Sequence, residues 1–154
     1  MIDAELAAFL RDGLGIHIGT RNDQLEPNGA RAAAVAVDAD GLHVVLYLAS
    51  VAATRVLADL RSNGQAAVVF ARPTDDRACQ VKGVFVSARD ASDEERPFVA
   101  AQWDKFLDQL ERIGIPRGVS EGWVTWPAVA IRLRATALFE QTPRPGTGEP
   151  LGNR

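Results

Sequence analysis

The chain has 154 residues, 47% of them apolar, 24% charged and 6% aromatic, with 17 basic and 20 acidic residues for a net charge of -3. That composition excludes a disordered tail protein, a fibre or a domain array, and leaves room for one sizeable core without disulfides or metals. The absence of a basic excess argues against a nucleic-acid or anionic-membrane partner, which needs clustered positive charge.

Leu6, Phe9 and Leu10 fall at helical spacing behind Asp3, so residues 3–12 are read as a short amphipathic helix ended by Gly13 and Gly15. Ile16 to Arg21 alternates like a strand and is expected to break at Pro27-Asn28-Gly29. Arg31 to Val37 and Leu42 to Ala49 form two apolar runs joined at Asp38-Ala39-Asp40-Gly41, a hairpin turn. From Ser50 to Ser62 the period becomes helical, with Ser50 as the expected N-cap and Asn63-Gly64 as the stop.

Ala66 to Ala71 and Cys79 to Ala88 return to strand character across a turn at Pro73 to Asp76. Ser92 to Glu95 reads as a capping box opening a helix that buries Val99, Trp103, Phe106, Leu110 and Ile113. Trp123 to Trp126 and Val129 to Phe139 are the last expected strands, and the Pro- and Gly-rich segment from Gln141 onward is expected to lack regular structure. Six or seven mostly antiparallel strands interrupted by helices point to a mainly β split barrel with flanking helices, one domain over residues 1–140 and a tail over 141–154. The single Cys79 forms no internal disulfide, the N-terminal stretch lacks signal-peptide character, and no apolar run reaches membrane-span length, so the expected location is cytoplasmic.

Several motifs fail on context. Gly118-Val-Ser-Glu-Gly122 matches the nucleophile elbow of hydrolases, but a β-like segment follows where a helix is required, and both histidines precede the serine; it is read as a loop. The glycine pairs do not complete a dinucleotide fingerprint, and His17, His43 and Asp38-Ala-Asp40 lack metal-site spacing, so no metal is expected. Cys79 reads as a half-buried small side chain and not a nucleophile. What remains is Arg31 at a strand start, Ser50, Thr54 and Arg55 around a helix entry, and Gln80 with Lys82 on one strand face. Together these suit a phosphate-bearing flavin, although spacing alone favours solvated arginines and a polar sheet face.

The order of segments resembles the pyridoxamine 5'-phosphate oxidase-like superfamily of FMN-binding split barrels over residues 14–151. The stretches that carry it are Arg31-Ala-Ala-Ala-Val-Ala-Val-Asp, Leu46-Tyr-Leu-Ala-Ser50 followed by Thr54-Arg55, Asn63-Gly-Gln-Ala-Ala-Val-Val-Phe70 and Gln80-Val-Lys-Gly83; the Gln141-Thr-Pro tail is similar to that of one uncharacterised subgroup. The resemblance implies a homodimer with FMN between subunits. Arg31, Thr54 and Arg55 would hold the phosphate, backbone around Ala33, Leu48, Ala49 and Ser50 would line the flavin, and Gln80 would face the ring. Lys82 would serve the phosphate, tune the ring or remain a surface lysine. Val56 stands where a phosphate lysine is usual, and the oxidase's C-terminal substrate-binding arginine and histidine have no counterpart. The expected function is therefore an FMN-dependent oxidoreductase on an unidentified small molecule, with a deazaflavin as an alternative cofactor. A non-catalytic flavin- or haem-binding barrel for storage or sensing is the other expectation.

Overall fold

The computed structural model describes residues 2–120 and 122–151. Helix α1 (Ala4–Leu10) is capped by the Asp3 carboxylate, which accepts from the Leu6 amide at 2.8 Å. Seven strands follow: β1 (Gly15–Arg21), β2 (Pro27–Ala32), β3 (Ala34–Val37), β4 (His43–Ala49), β5 (Gln65–Ala71), β6 (Ala78–Asp90) and β7 (Ala128–Glu140), with α2 (Ser50–Asn63) and α3 (Arg96–Arg112) between them. All pairings are antiparallel, in the order β2-β1-β5-β6-β7-β4-β3.

The two edge strands are successive in sequence and joined through one residue, Ala33, whose amide bonds to the Tyr47 carbonyl at 2.8 Å. A sheet whose opposite edges share one linker must curl until they meet, and the result is a curled half-barrel. The alternating strands pack Ile16, Ile18, Leu46, Val68, Phe70, Ile131 and Leu133 inside, and α2 adds Val56 and Leu60 to the same core. Against the other side of β3 and β4, α3 packs Val99 on Ala34 and Tyr47. There Gln102, buried, receives the Val35 amide at 3.0 Å and donates to the Val35 carbonyl at 2.7 Å, so a side-chain amide completes the edge of β3.

Several expectations are corrected. Pro27 to Gly29 belong to β2, because the turn lies upstream, where the Asn22 carboxamide accepts from the Gln24 and Glu26 amides and Leu25 takes φ 65°. Proline is tolerated there as the first residue of an edge strand. Ala49, not Ser50, is the N-cap of α2, since Ala49 is still paired with Ala128 and both donors of Ser50 go to the Pro127 carbonyl at 2.8 and 3.1 Å. Gly64 closes that helix at φ 72°, as its position predicts.

The Ser92–Glu95 capping box is present, but α3 buries Gln102 and Gln109, leaves Trp103 half-buried and ends before the exposed Ile113. Trp123 to Trp126 is not a strand; β7 begins at Ala128. From Gln141 to Leu151 the tail folds as turns and is tied back to β7 by a Phe139–Pro150 bridge and by the Leu151 amide on the Leu138 carbonyl.

Candidate functional site

The outer face of β2, β1, β5, β6 and β7 carries a cross-strand row: Arg31 opposite His17, His17 opposite Val69, Val69 opposite Gln80, and Gln80 opposite Phe139. Three strand steps separate Arg31 from Gln80, about 14 Å at the usual inter-strand spacing. Two residues along, Gly29, Gly19, Ala67, Lys82 and Ala137 form a parallel row in which only Lys82 rises from the floor.

Arg31 is the residue of that face with an unmet need. Its guanidinium carbon lies 4.7 Å from the centre of the Trp123 ring and 5.1 Å from that of Phe106. Its Nη1 is buried with no hydrogen-bond partner, one of two such side-chain atoms among the described residues. A buried guanidinium donor without an acceptor is costly to maintain unless an anion or water completes it. Burial lowers the Arg31 pKa, and burial followed by the Arg31 charge pushes the His17 imidazole below its ordinary value. Both effects favour the neutral form of the His17 imidazole.

The aromatic cover is built from two elements. The capping box and Gln102 fix α3, which sets Phe106 against the sheet. Trp123 comes from the connection between α3 and β7, held to α3 because Arg117 bonds Asp104 at 2.6 Å, Glu111 at 2.9 Å and also Asp108. Trp123 leans on Trp103, with ring centres 5.6 Å apart. The glycine-serine motif lies in this connection, in a short 3-10 turn and not at a strand-to-helix elbow; Ser120 is buried with its hydroxyl unpartnered, and Glu121 lies outside the described residues.

Of the other positions read from the sequence, Gln80 and Lys82 share this face and the rest do not. Gln80 is half-buried and Lys82 exposed, with the Lys82 ammonium 5.1 Å from the centre of the Phe139 ring. Ala33, Leu48 and Ala49 are buried at the barrel closure, with Leu48 wholly inside. Thr54 and Arg55 are exposed on α2, and Arg55 reaches the Pro27 carbonyl at 3.5 Å. Pro27 and Arg31 are four residues apart on β2, about 13 Å along the strand, so Arg55 and Arg31 stand at its two ends. Val56 is fully buried in the core. Phe106 and Trp123 entered the sequence reading only as apolar residues, and His17 only as an unsupported metal ligand; no local signal joins them to Arg31.

Two further groups complete the survey. Asp38, Asp40 and His43 bring their ligand atoms within 4.8 Å of one another at the hairpin turn, where Asp38 bonds Arg132 at 2.6 Å and Asp40 bonds His43 at 2.7 Å. A cavity of about 630 Å³ lies between α1 and the tail, and both of its arginines are paired, Arg77 with Glu5 at 3.1 Å and Arg144 with Glu140 at 2.8 Å. Among the described residues, no helix is long and apolar enough to cross a membrane.

No protein-family model and no curated protein sequence matches the chain. Solved structures do match. A pyridoxamine 5'-phosphate oxidase candidate from Lactobacillus delbrueckii aligns at TM-score 0.55 and 12% identity, over 89% of this chain and 92% of that one. An F420 reductase aligns at TM-score 0.54 and 19% identity, over 85% and 93%. An FMN-binding protein from Syntrophomonas wolfei aligns at TM-score 0.52 and 14% identity, over 88% and 86%. At these identities the likeness is one of fold, a curled, mainly β half-barrel with flanking helices.

Proposed function

We propose that the chain binds a flavin-type cofactor, FMN foremost, on the outer sheet face, and acts as an oxidoreductase on a small molecule. The observation that carries the reading is the buried Arg31 Nη1 without an acceptor, on the same cross-strand row as Gln80. A phosphate satisfies that donor and its charge together. The distance from Arg31 to Gln80 lets a ribityl phosphate and its ring occupy one row. The names of the solved relatives, which include an FMN-binding protein and an F420 reductase, support a flavin or deazaflavin. A flavin there would supply hydride or electron transfer. The chain's own part is to hold the anion at Arg31, exclude water from it with Phe106 and Trp123, and offer the Gln80 amide to a polar ring edge.

The reading includes a homodimer. Val119, Trp123 and Val124 on the α3–β7 connection are all exposed, as is Val51 on α2, whose neighbour Ser50 is bonded to Pro127. Apolar side chains gathered there are the kind of surface that a second copy covers. Light scattering after size-exclusion chromatography with FMN present tests it, and a monomer at micromolar concentration refutes it.

A second reading rests on His17. If a haem bound at this face, the His17 imidazole would ligate its iron and Arg31 opposite would pair with a propionate. The visible spectrum of purified protein, followed by titration with FMN, riboflavin, FAD, a deazaflavin and haemin, separates the two. Saturable FMN binding that exceeds riboflavin binding supports the flavin reading, a histidine-ligated haem spectrum supports the second, and indifference to all five refutes both. Oxidation of NADH or NADPH by the loaded protein then tests for turnover.

A further inference from the structure

A concavity of about 440 Å³ opens on the outer face beside the Arg31–Gln80 row, and its walls hold Arg21 and Lys82. No carboxylate lines it. Neither cation is ion-paired among the described residues: Arg21 donates only to neutral oxygens, the Asn22 carbonyl and the Gln65 carboxamide, both at 3.2 Å, and Lys82 rests over Phe139. Arg72, Arg77, Arg89, Arg117, Arg132 and Arg144 hold acidic partners, and Arg21 and Lys82 are among the basic residues described that do not. Two cations that share a concavity and lack an acid raise the local positive potential, which favours an anion.

The floor is shaped for close approach. Gly19 and Ala67 carry no side chain beyond Cβ, and β7 has an irregularity here, with Lys82 opposite Ala137, Gly83 opposite Ala135, and Thr136 the extra residue. The Thr136 hydroxyl donates to the Lys82 carbonyl at 3.1 Å and keeps its lone pairs towards solvent. A Cβ on Gly83 would come within 2.9 Å of the Arg134 carbonyl, so the bulge requires glycine at the cavity wall. Bulges of this kind re-aim a strand beside functional sites.

We infer that this concavity binds a phosphate or carboxylate group, held between the Arg21 guanidinium and the Lys82 ammonium over the glycine and alanine floor. The group is the anionic end of a second small molecule, such as the substrate, since the proposed cofactor phosphate stands at Arg31. The anion site itself does not require the flavin reading, because inorganic phosphate alone is the probe.

The test is a titration of isotopically labelled protein with inorganic phosphate at fixed ionic strength, followed by amide NMR. Saturable shifts are expected at Gly19, Ala67 and Gly83. Lys82→Met should weaken them about tenfold, within the range for one charge-assisted contact, while Lys105→Met on α3 should leave them unchanged. Shifts that do not saturate, that spread evenly over the surface, or that survive Lys82→Met overturn the inference. Repeating the titration with FMN and with riboflavin identifies the source. Phosphate bound beside saturating FMN assigns the site to a second anionic molecule, and displacement by FMN but not by riboflavin overturns that assignment and moves the cofactor's phosphate here from Arg31. Protein that takes phosphate but no FMN keeps the anion site and sinks the flavin reading.

Discussion

Replacing Arg31 with Met separates a binding role from a structural one, because the structure sets opposing terms for the free protein. The two aromatic contacts of the guanidinium are each worth about 0.5 to 1 kcal/mol, rising to about 2 where desolvated. The buried Nη1 without an acceptor costs about 1 to 3 kcal/mol. Met keeps an unbranched stem against both rings and adds sulfur–aromatic contacts of about 0.3 to 1.5 kcal/mol. These terms nearly cancel, so urea unfolding of Arg31→Met without ligand should give a stability within about 1 kcal/mol of the parent, or slightly higher. Ligand binding has no such cancellation. Loss of a charged contact to phosphate removes about 1.5 to 3 kcal/mol, roughly tenfold to over a hundredfold in FMN affinity, with riboflavin affinity nearly unchanged. Fluorescence quenching of each flavin on titration measures both. A variant destabilised by more than about 2 kcal/mol that still binds FMN at parental affinity would refute the assignment, since Arg31 would then be a structural arginine.

Other outcomes follow from the same geometry. Gln102→Leu strands the amide and carbonyl of Val35 in a buried place, which should cost about 2 to 5 kcal/mol in urea unfolding; a loss under about 0.5 kcal/mol contradicts the edge-completing role. Hydrogen bonds from Arg89, and then from the Ser92 amide and Tyr47, hold the Glu95 carboxyl down at about 2 against an ordinary 4.5. Its stabilising effect is thus present above pH 4.5 and is lost as pH falls towards 2, and Glu95→Gln should flatten the acid limb of a stability–pH curve. Glu140 titrates in the same window, since bonds from Thr142 and Arg144 outweigh its burial and hold it at about 2, so the flattening should be partial. Burial raises the Cys79 thiol to about 12, so a thiol reagent at pH 8 should label it only after unfolding; full labelling of native protein within minutes contradicts the buried placement.

How much was legible in the residues depended on whether the signal was local. The Asp38–Gly41 turn, the Gly64 stop and the Ser92–Glu95 box each act within a few residues of themselves, and each is where its chemistry puts it. Pro27 misled because the competing turn was made by the Asn22 side chain upstream. Trp123 to Trp126 misled because β-like composition there serves a covering loop held from outside by Arg117. On α3, periodicity could not reveal that a glutamine would be buried as a partner for a strand edge. Arg31 and Gln80 were visible from order along the chain, whereas their neighbours were not, because the ring stack of Phe106 and Trp123 exists only after α3 has docked.

The completed edge at Val35 bears on how copies of this chain can meet. An open strand edge invites another chain to add itself as the next strand, the commonest route from a native sheet to uncontrolled polymerisation. Here the side-chain amide of Gln102 already occupies both backbone groups of Val35, so an incoming strand must first pull α3 away from β3. At the opposite edge, α2 packs against β2 and Arg55 reaches the first carbonyl of that strand. Self-association through extension of the sheet is thereby blocked at Val35, and a stable assembly of defined size has to be made with side chains across faces.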